Sequence, residues 1–162
     1  MFTAGIITAS DKCYAGKRDD LSGKVIKDLL REAGYRIERY AVLPDDVKLL
    51  KQEMIYMSDS LELNLIVTTG GTGFAPRDLT PEATKEVIER ETPGISEAMR
   101  YMSLSVTPKA MLSRGISGIR GKSLIINLPG SPKAVRETLN YIIEPLEHGL
   151  NILLKKETEC AR

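Results

Sequence analysis

Apolar residues gather in four short runs, at residues 2–8, 37–43, 63–68 and 124–128, each of a length suited to a buried strand. Between the runs the period changes to three and four residues. Val25, Ile26, Leu29, Leu30 and Ala33 form a helical stripe that stops at Gly34, a residue suited to the left-handed conformation that ends helices. Val47, Leu50, Met54, Met57 and Leu61 form a second stripe. Val135, Leu139, Ile142, Leu146, Leu150 and Leu153 form a third, which Pro145 is expected to kink or divide. Strands alternating with helices predict an α/β fold, a three-layer open and mostly parallel sheet with helices on both faces, because each crossover helix must pack back on the sheet. Residues 95–121 show no clear period and are expected to hold one or two helices and a polar loop. No repeat, low-complexity tract or linker divides the chain, so one domain is expected.

In such a sheet, ligands bind outside the carboxyl ends of the strands. All four predicted strands run into residues capable of chemistry: Ala9-Ser10-Asp11, Pro44-Asp45-Asp46, Thr69-Gly70-Gly71-Thr72-Gly73 and Pro129-Gly130-Ser131-Pro132. The glycine loop reads either as a tight strand-to-helix turn or as a cradle whose backbone N–H groups face an anion, and the convergence of four exits favours the cradle. Thr80 before Pro81 and Glu82 reads as a helix start with a capping hydroxyl. Two familiar phosphate motifs are absent. Phe74-Ala75-Pro76 follows Gly73 where the dinucleotide fingerprint needs its third glycine, and the glycine that a P-loop ending at Gly121-Lys122-Ser123 requires falls on Ile116.

Asp45 and Asp78 are the leading carboxylates, suited to Mg²⁺, which takes one or two carboxylates together with substrate phosphates. Other roles are open to them: Asp45 or Asp46 can cap the next helix, and Asp78 can pair with Arg77. Asp11 and Asp20 read more readily as turn residues. Arg114 and Arg120 can grip phosphate or stand solvated at the surface. Met54, Met57, Met99, Met102 and Met111 read as core fillers, and His148 as a surface or packing residue.

Composition narrows the field. The chain has 162 residues, 42% hydrophobic and 28% charged, enough for one packed core. With 23 basic and 22 acidic residues the formal charge is +1, which gives no field for nucleic acid or an anionic membrane. Absence of a long apolar run or a signal-like start points to the cytoplasm. Cys13 and Cys160 are far apart and His148 is the sole histidine, so no zinc motif exists and any metal has oxygen ligands.

The ordered motifs resemble those of the molybdopterin adenylyltransferases of the MogA/MoaB type, whose relatives include the G domains of plant and animal molybdenum-cofactor proteins. The likeness spans most of the chain: Thr8-Ala9-Ser10-Asp11, Asp20-Leu21-Ser22-Gly23, Leu43-Pro44-Asp45-Asp46, Thr68-Thr69-Gly70-Gly71-Thr72-Gly73, Pro76-Arg77-Asp78-Leu79-Thr80-Pro81-Glu82-Ala83, Glu91-Thr92-Pro93-Gly94, Ser113-Arg114, Gly118-Ile119-Arg120-Gly121 and Ile126-Asn127-Leu128-Pro129-Gly130-Ser131-Pro132. The resemblance implies the fold of molybdenum cofactor biosynthesis proteins over residues 1–162, a homotrimer, and Mg²⁺-dependent transfer of AMP from ATP to the phosphate of molybdopterin, releasing pyrophosphate. It places the two essential, metal-binding aspartates at Asp45 and Asp78 and a serine near the bound product at Ser113. Gly71, Thr72, Gly73, Glu82, Pro129, Gly130 and Ser131 would line the pocket, with Ser10 and Asp11 at its rim. Molybdate insertion would fall to a separate protein. The alternatives are a carrier or trimeric scaffold that binds molybdopterin without turnover, and a hydrolase of nucleotide pyrophosphate bonds on a related fold.

Overall fold

The computed structural model describes residues 1–155; Cys160 lies outside them. Four parallel strands, β1 (Thr3–Ala9), β2 (Arg36–Leu43), β3 (Leu65–Thr69) and β6 (Ser123–Leu128), stand in the order β2-β1-β3-β6. Two short strands, β4 (Arg90–Glu91) and β5 (Ser117–Arg120), extend the sheet beyond β6. β5 runs antiparallel to β6 through a two-residue turn at Gly121 and Lys122, and β4 antiparallel to β5. β5 falls in the region with no legible period and β4 just before it; two and four residues are too few to show a period, and Ser117-Gly118-Ile119-Arg120 reads as polar. The helices expected there are present as α5 (Pro93–Leu104) and a 3₁₀ turn at Pro108–Leu112.

The remaining helices are α1 (Asp11–Tyr14), α2 (Leu21–Glu32), α3 (Val47–Ile55), α4 (Thr80–Lys85) and α6 (Pro132–Leu153). Alternation along the strands divides the core in two. Ala4, Ile6, Leu65, Val67, Leu124 and Ile126 pack against Ile26, Leu30, Val135, Leu139, Ile142 and Leu146, that is, against α2 and α6, with Met99 of α5. Ile7, Ile66 and Ile125 face the other way, onto Leu50 and Met54 of α3 and Ala83 of α4. Three layers result.

Three local readings need correction. Pro145 does not divide α6; it is exposed, and the carbonyl it leaves unbonded belongs to Tyr141, on the same solvent face. Thr80 does not cap α4, whose N-cap is Leu79; its hydroxyl is buried and bonded elsewhere. Met54, Met57 and Met99 fill the core as expected, but Met111 is 65% exposed.

Candidate functional site

All four parallel strands end on one edge, and the sequence order reverses between β1 and β3, since β1 continues outward to β2 and the chain then crosses back to β3. A cleft of about 570 Å³ opens there, where the ends of neighbouring strands diverge. Thr8, Ala9 and Ser10 leave β1 on one side, and Thr69, Gly70 and Gly71 leave β3 on the other. Asp45 arrives from the end of β2 and Asp78 from the loop before α4. Arg18, Asp19, Asp20, Leu21 and Ser22 at the start of α2, with Gly130, Ser131 and Pro132 at the start of α6, complete the wall. Two helix N-termini thus face the cleft, and the 22-residue α6 contributes the positive end of a long dipole, capped by the Ser131 hydroxyl accepting from Ala134 N at 3.1 Å.

The glycine loop has its shape because side chains have no room. Gly71 has φ +65°, and a Cβ there would stand 2.3 Å from Thr80 Oγ1 and 3.3 Å from Asp45 Oδ1. A Cβ at Gly73 would stand 2.8 Å from Asp78 Oδ2. Both carboxylates therefore lie against one glycine loop. A similar close fit occurs across the cleft, where Asp20 caps α2 by accepting from Gly23 N at 2.9 Å and also accepts from the hydroxyls of Thr8, at 2.6 Å, and Tyr40. A Cβ at Gly23 would collide with all three side chains. The loop after β6 is pinned from two sides, by the Thr69 hydroxyl donating to Pro129 O and the Ser22 hydroxyl donating to Gly130 O, each at 2.6 Å.

Each aspartate has its own task. Asp46, not Asp45, caps α3, accepting from Leu49 N at 2.9 Å. Asp45 exchanges bonds with Asp11: Asp11 N donates to Asp45 Oδ2 at 3.1 Å, and Asp45 N donates to Asp11 Oδ1 at 3.0 Å. Arg77 pairs with Asp11 instead of its neighbour Asp78, through two bonds at 2.6 and 2.9 Å. Asp78 Oδ2 accepts from Ala75 N at 2.9 Å, a local turn that holds the carboxylate by the loop. Burial pushes the Asp45 carboxyl above its usual range, with the Asp11 N–H opposing and the charges of Asp11 and Asp78 adding to the rise. Arg77 holds Asp11 below the usual range.

Of the residues singled out from sequence, Ser10, Asp45, Gly71, Asp78, Gly130 and Ser131 line the cleft, and Asp11 is bonded to its wall. Thr72, Gly73, Glu82, Ser113 and Pro129 are not among its lining residues. Arg114 accounts for three of them. Its guanidinium donates to Gly73 O at 2.8 Å and Asp78 O at 2.5 Å and pairs with Glu82, while its N–H donates to Thr72 O at 2.9 Å. Arg114 and Arg120, the latter paired with Asp59, are each committed to a carboxylate and to at least one backbone carbonyl of this chain. Ser113 and Pro129 line a neighbouring, largely apolar groove of about 210 Å³ between α5, the 3₁₀ turn and α6. His148 is exposed on α6 and outside both hollows. Sequence reading passed over Arg18, Asp19 and Ser22 as cleft residues. Arg18 and Asp19 carry no periodic signal, and Asp20, which reads from sequence as a turn residue, is the N-cap of α2.

Residues 5–148 match the family described as a probable molybdopterin binding domain. The chain is 44% identical over 154 residues to a molybdopterin adenylyltransferase of Helicobacter pylori, covering 93% of this chain and 86% of that protein. It is 39% identical over 141 residues to the molybdopterin adenylyltransferase of Escherichia coli K12, covering 85% and 72%. The crystal structure of the molybdopterin biosynthesis enzyme MoaB of Thermus thermophilus superposes with a TM-score of 0.90 at 45% identity, covering 98% of this chain and all of that one.

Proposed function

The chain belongs to the molybdopterin-binding domain family, and we infer from that membership that it is a molybdopterin adenylyltransferase, transferring AMP from ATP to the phosphate of molybdopterin with release of pyrophosphate. The observation that carries the site assignment is the pair of carboxylates, Asp45 and Asp78, set against one glycine loop. A phosphate oxygen of molybdopterin forms the new bond to the α-phosphorus of ATP as the bond to pyrophosphate breaks. That oxygen is already ionised near neutrality, so no general base is required, and the cleft holds no histidine. What the reaction does need is alignment of two anions in one place.

The lining residues define how that is done. Backbone N–H groups of the glycine loop and the N-terminus of α6 attract phosphate oxygens. The side chains oppose it: Asp19, Asp20, Asp45 and Asp78 outweigh Arg18, so two polyanions enter only with a counter-cation. Among the described residues no cluster of three or more acidic, histidine or cysteine groups forms a metal cage. Two carboxylates with space for phosphates beside them fit Mg²⁺, a hard cation that takes one or two protein carboxylates together with substrate phosphates. Held by Asp45 and Asp78, Mg²⁺ would supply neutralisation of charge on the α-phosphate and the departing pyrophosphate. Asp11, by bonding both the main chain and the side chain of Asp45, keeps that carboxylate turned to the glycine loop.

The groove and the cleft share one loop, Pro129 lining the groove and Gly130 the cleft, and the groove's apolar lining with Ser113 suits the flat pterin end of the acceptor. Exposed Tyr101, Leu104, Val106, Met111 and Leu112 concentrate on α5 and the following turn, an apolar surface suited to covering by further copies in a homotrimer. No helix among the described residues is long and apolar enough to cross a membrane, and a cytoplasmic setting accords with the use of ATP as substrate. Metal insertion follows as a separate step on another protein.

The deciding experiment incubates the protein with ATP, Mg²⁺ and freshly released molybdopterin and measures adenylylated molybdopterin and pyrophosphate, with Asp78→Asn alongside. Product from the parent and none from a folded Asp78→Asn is expected. Binding of molybdopterin without product would replace this reading with that of a carrier, and pyrophosphate-bond cleavage without the pterin would replace it with that of a hydrolase.

A further inference from the structure

Beneath the glycine loop runs a line of buried polar side chains that the chemistry above does not use. Asn127 on β6 is 1% exposed and its amide is fully committed: Nδ2 donates to Thr68 Oγ1 at 3.0 Å and to Thr84 Oγ1 at 2.9 Å, and Oδ1 accepts from Ile116 N at 3.2 Å. The Thr84 hydroxyl donates onward to Thr80 O at 2.8 Å. Thr80 then holds the loop by two bonds, its hydroxyl donating to Gly70 O at 2.9 Å and its N–H to Gly71 O at 3.1 Å. Thr68, Thr80 and Thr84 are fully buried.

Stability alone does not call for the side-chain pairs of Asn127 with Thr68 and Thr84, because replacing both members of a buried hydrogen-bonded pair by apolar groups is close to neutral. The line has a geometric consequence that valine could not supply. Thr80 Oγ1 and Asp45 Oδ1 both press on the place a Gly71 Cβ would take, so the hydroxyl that grips Gly70 O also sets how near the loop amides stand to Asp45. Through Ile116 N the same anchor holds the segment leading from Ser113, the wall of the neighbouring groove. A fully satisfied buried network specifies one arrangement and resists drift, because each alternative leaves a polar atom unpaired.

We propose that Thr80, anchored through Thr84 and Asn127, is a positioning residue that fixes the Gly70–Gly71 loop against Asp45 for binding of the substrate phosphates. The kinetic side of this rests on the adenylyltransferase reading; the structural side does not. Thr80→Val removes one hydroxyl and keeps the volume, while Thr80→Ser restores the hydroxyl. In Thr80→Val the KM for at least one of the two phosphate-bearing substrates rises about tenfold, with kcat per folded protein within about twofold of the parent. Thr80→Ser returns KM to within about twofold. Lost stability alone lowers the folded fraction and leaves KM where it was.

Hydrogen exchange at the amides of residues 70–73 is measured on the same proteins. Exchange faster in Thr80→Val than in the parent and Thr80→Ser is expected. Unchanged KM and unchanged exchange in folded Thr80→Val overturns the proposal, as does a Thr80→Ser that behaves like Thr80→Val. If the parent forms no product, the functional reading fails, and exchange by itself decides whether Thr80 positions the loop. Should Thr80→Val be insoluble, Thr80→Cys, a weaker donor of similar size, faces the same two readouts.

Discussion

Replacing Gly71 by alanine tests the glycine loop at its tightest point. Two costs add. At φ +65° an L side chain meets the following carbonyl, which costs about 1–2 kcal/mol. The new Cβ would also stand 2.3 Å from Thr80 Oγ1, inside any allowed contact, and Thr80 cannot retreat easily because it is fully buried and bonded to Gly70 O. Overpacking of this kind costs about 1–3 kcal/mol. The sum is about 2–5 kcal/mol, and for a chain of this size each kcal/mol moves Tm by about 2–4 °C. Gly71→Ala should therefore melt roughly 4–20 °C below the parent in a calorimetric scan. The second contact, 3.3 Å to Asp45 Oδ1, pushes that carboxylate from its place, so the variant is also expected to lose turnover at temperatures where it remains folded. A Gly71→Ala protein that melts within about 2 °C of the parent, well under the shift expected from strain and contact, would refute the geometry given for the loop.

Gly149 is the opposite case: it lies exposed inside α6 with nothing near its missing Cβ, so Gly149→Ala should stabilise by about 0.5–1 kcal/mol, read as a higher denaturant midpoint, and a lower midpoint would contradict it. Asp45→Asn should abolish turnover while raising the melting temperature near neutrality in the presence of a chelator. A carboxyl whose folded pKa is raised favours the fold below the ordinary carboxylate range and costs stability as pH rises through the folded value, so the gain should vanish on acidification; a variant less stable than the parent at neutral pH would remove this account of Asp45. Ser113→Ala should weaken calorimetrically measured affinity for adenylylated molybdopterin about fivefold, the worth of one hydroxyl hydrogen bond, and unchanged affinity would take Ser113 out of the site.

How much of the site could be read in advance differs residue by residue. Asp45 was legible because it follows a predicted strand, and Gly71 because its glycine loop shares an edge with three other polar strand exits. Asp46 and Asp45 are neighbours with one composition, and only the backbone at the start of α3 decides that Asp46 caps while Asp45 turns into the cleft. Arg77 and Asp78 are likewise adjacent, yet Arg77 reaches 66 residues back to Asp11. Pairings of that span depend on where strands end in space and leave no mark on local spacing. Arg114 reads from sequence as a phosphate ligand or a solvated arginine, yet it is tied to Glu82 and to the carbonyls of a loop 41 and 36 residues away.

The layers are written in the local periodicity of the chain. Periods of two and of three to four residues are local properties, and burying those stripes admits few arrangements: β1, β2, β3, β6 and the helices α2, α3 and α6 fall within a few residues of where hydrophobicity places them. Tertiary structure alone decided which polar groups meet. β4 and β5 exist through pairing with β6 and with each other, because so few residues gain their hydrogen bonds only when a partner edge is already present. The line from Asn127 to Thr80, and the division of the site into a charged cleft and an apolar groove on either side of Pro129–Gly130, arise in the same way. Hydrophobic burial is roughly additive over residues and so can be read along a chain, whereas a hydrogen bond requires two groups to arrive at one place with the right angle, and only the folded chain brings them there.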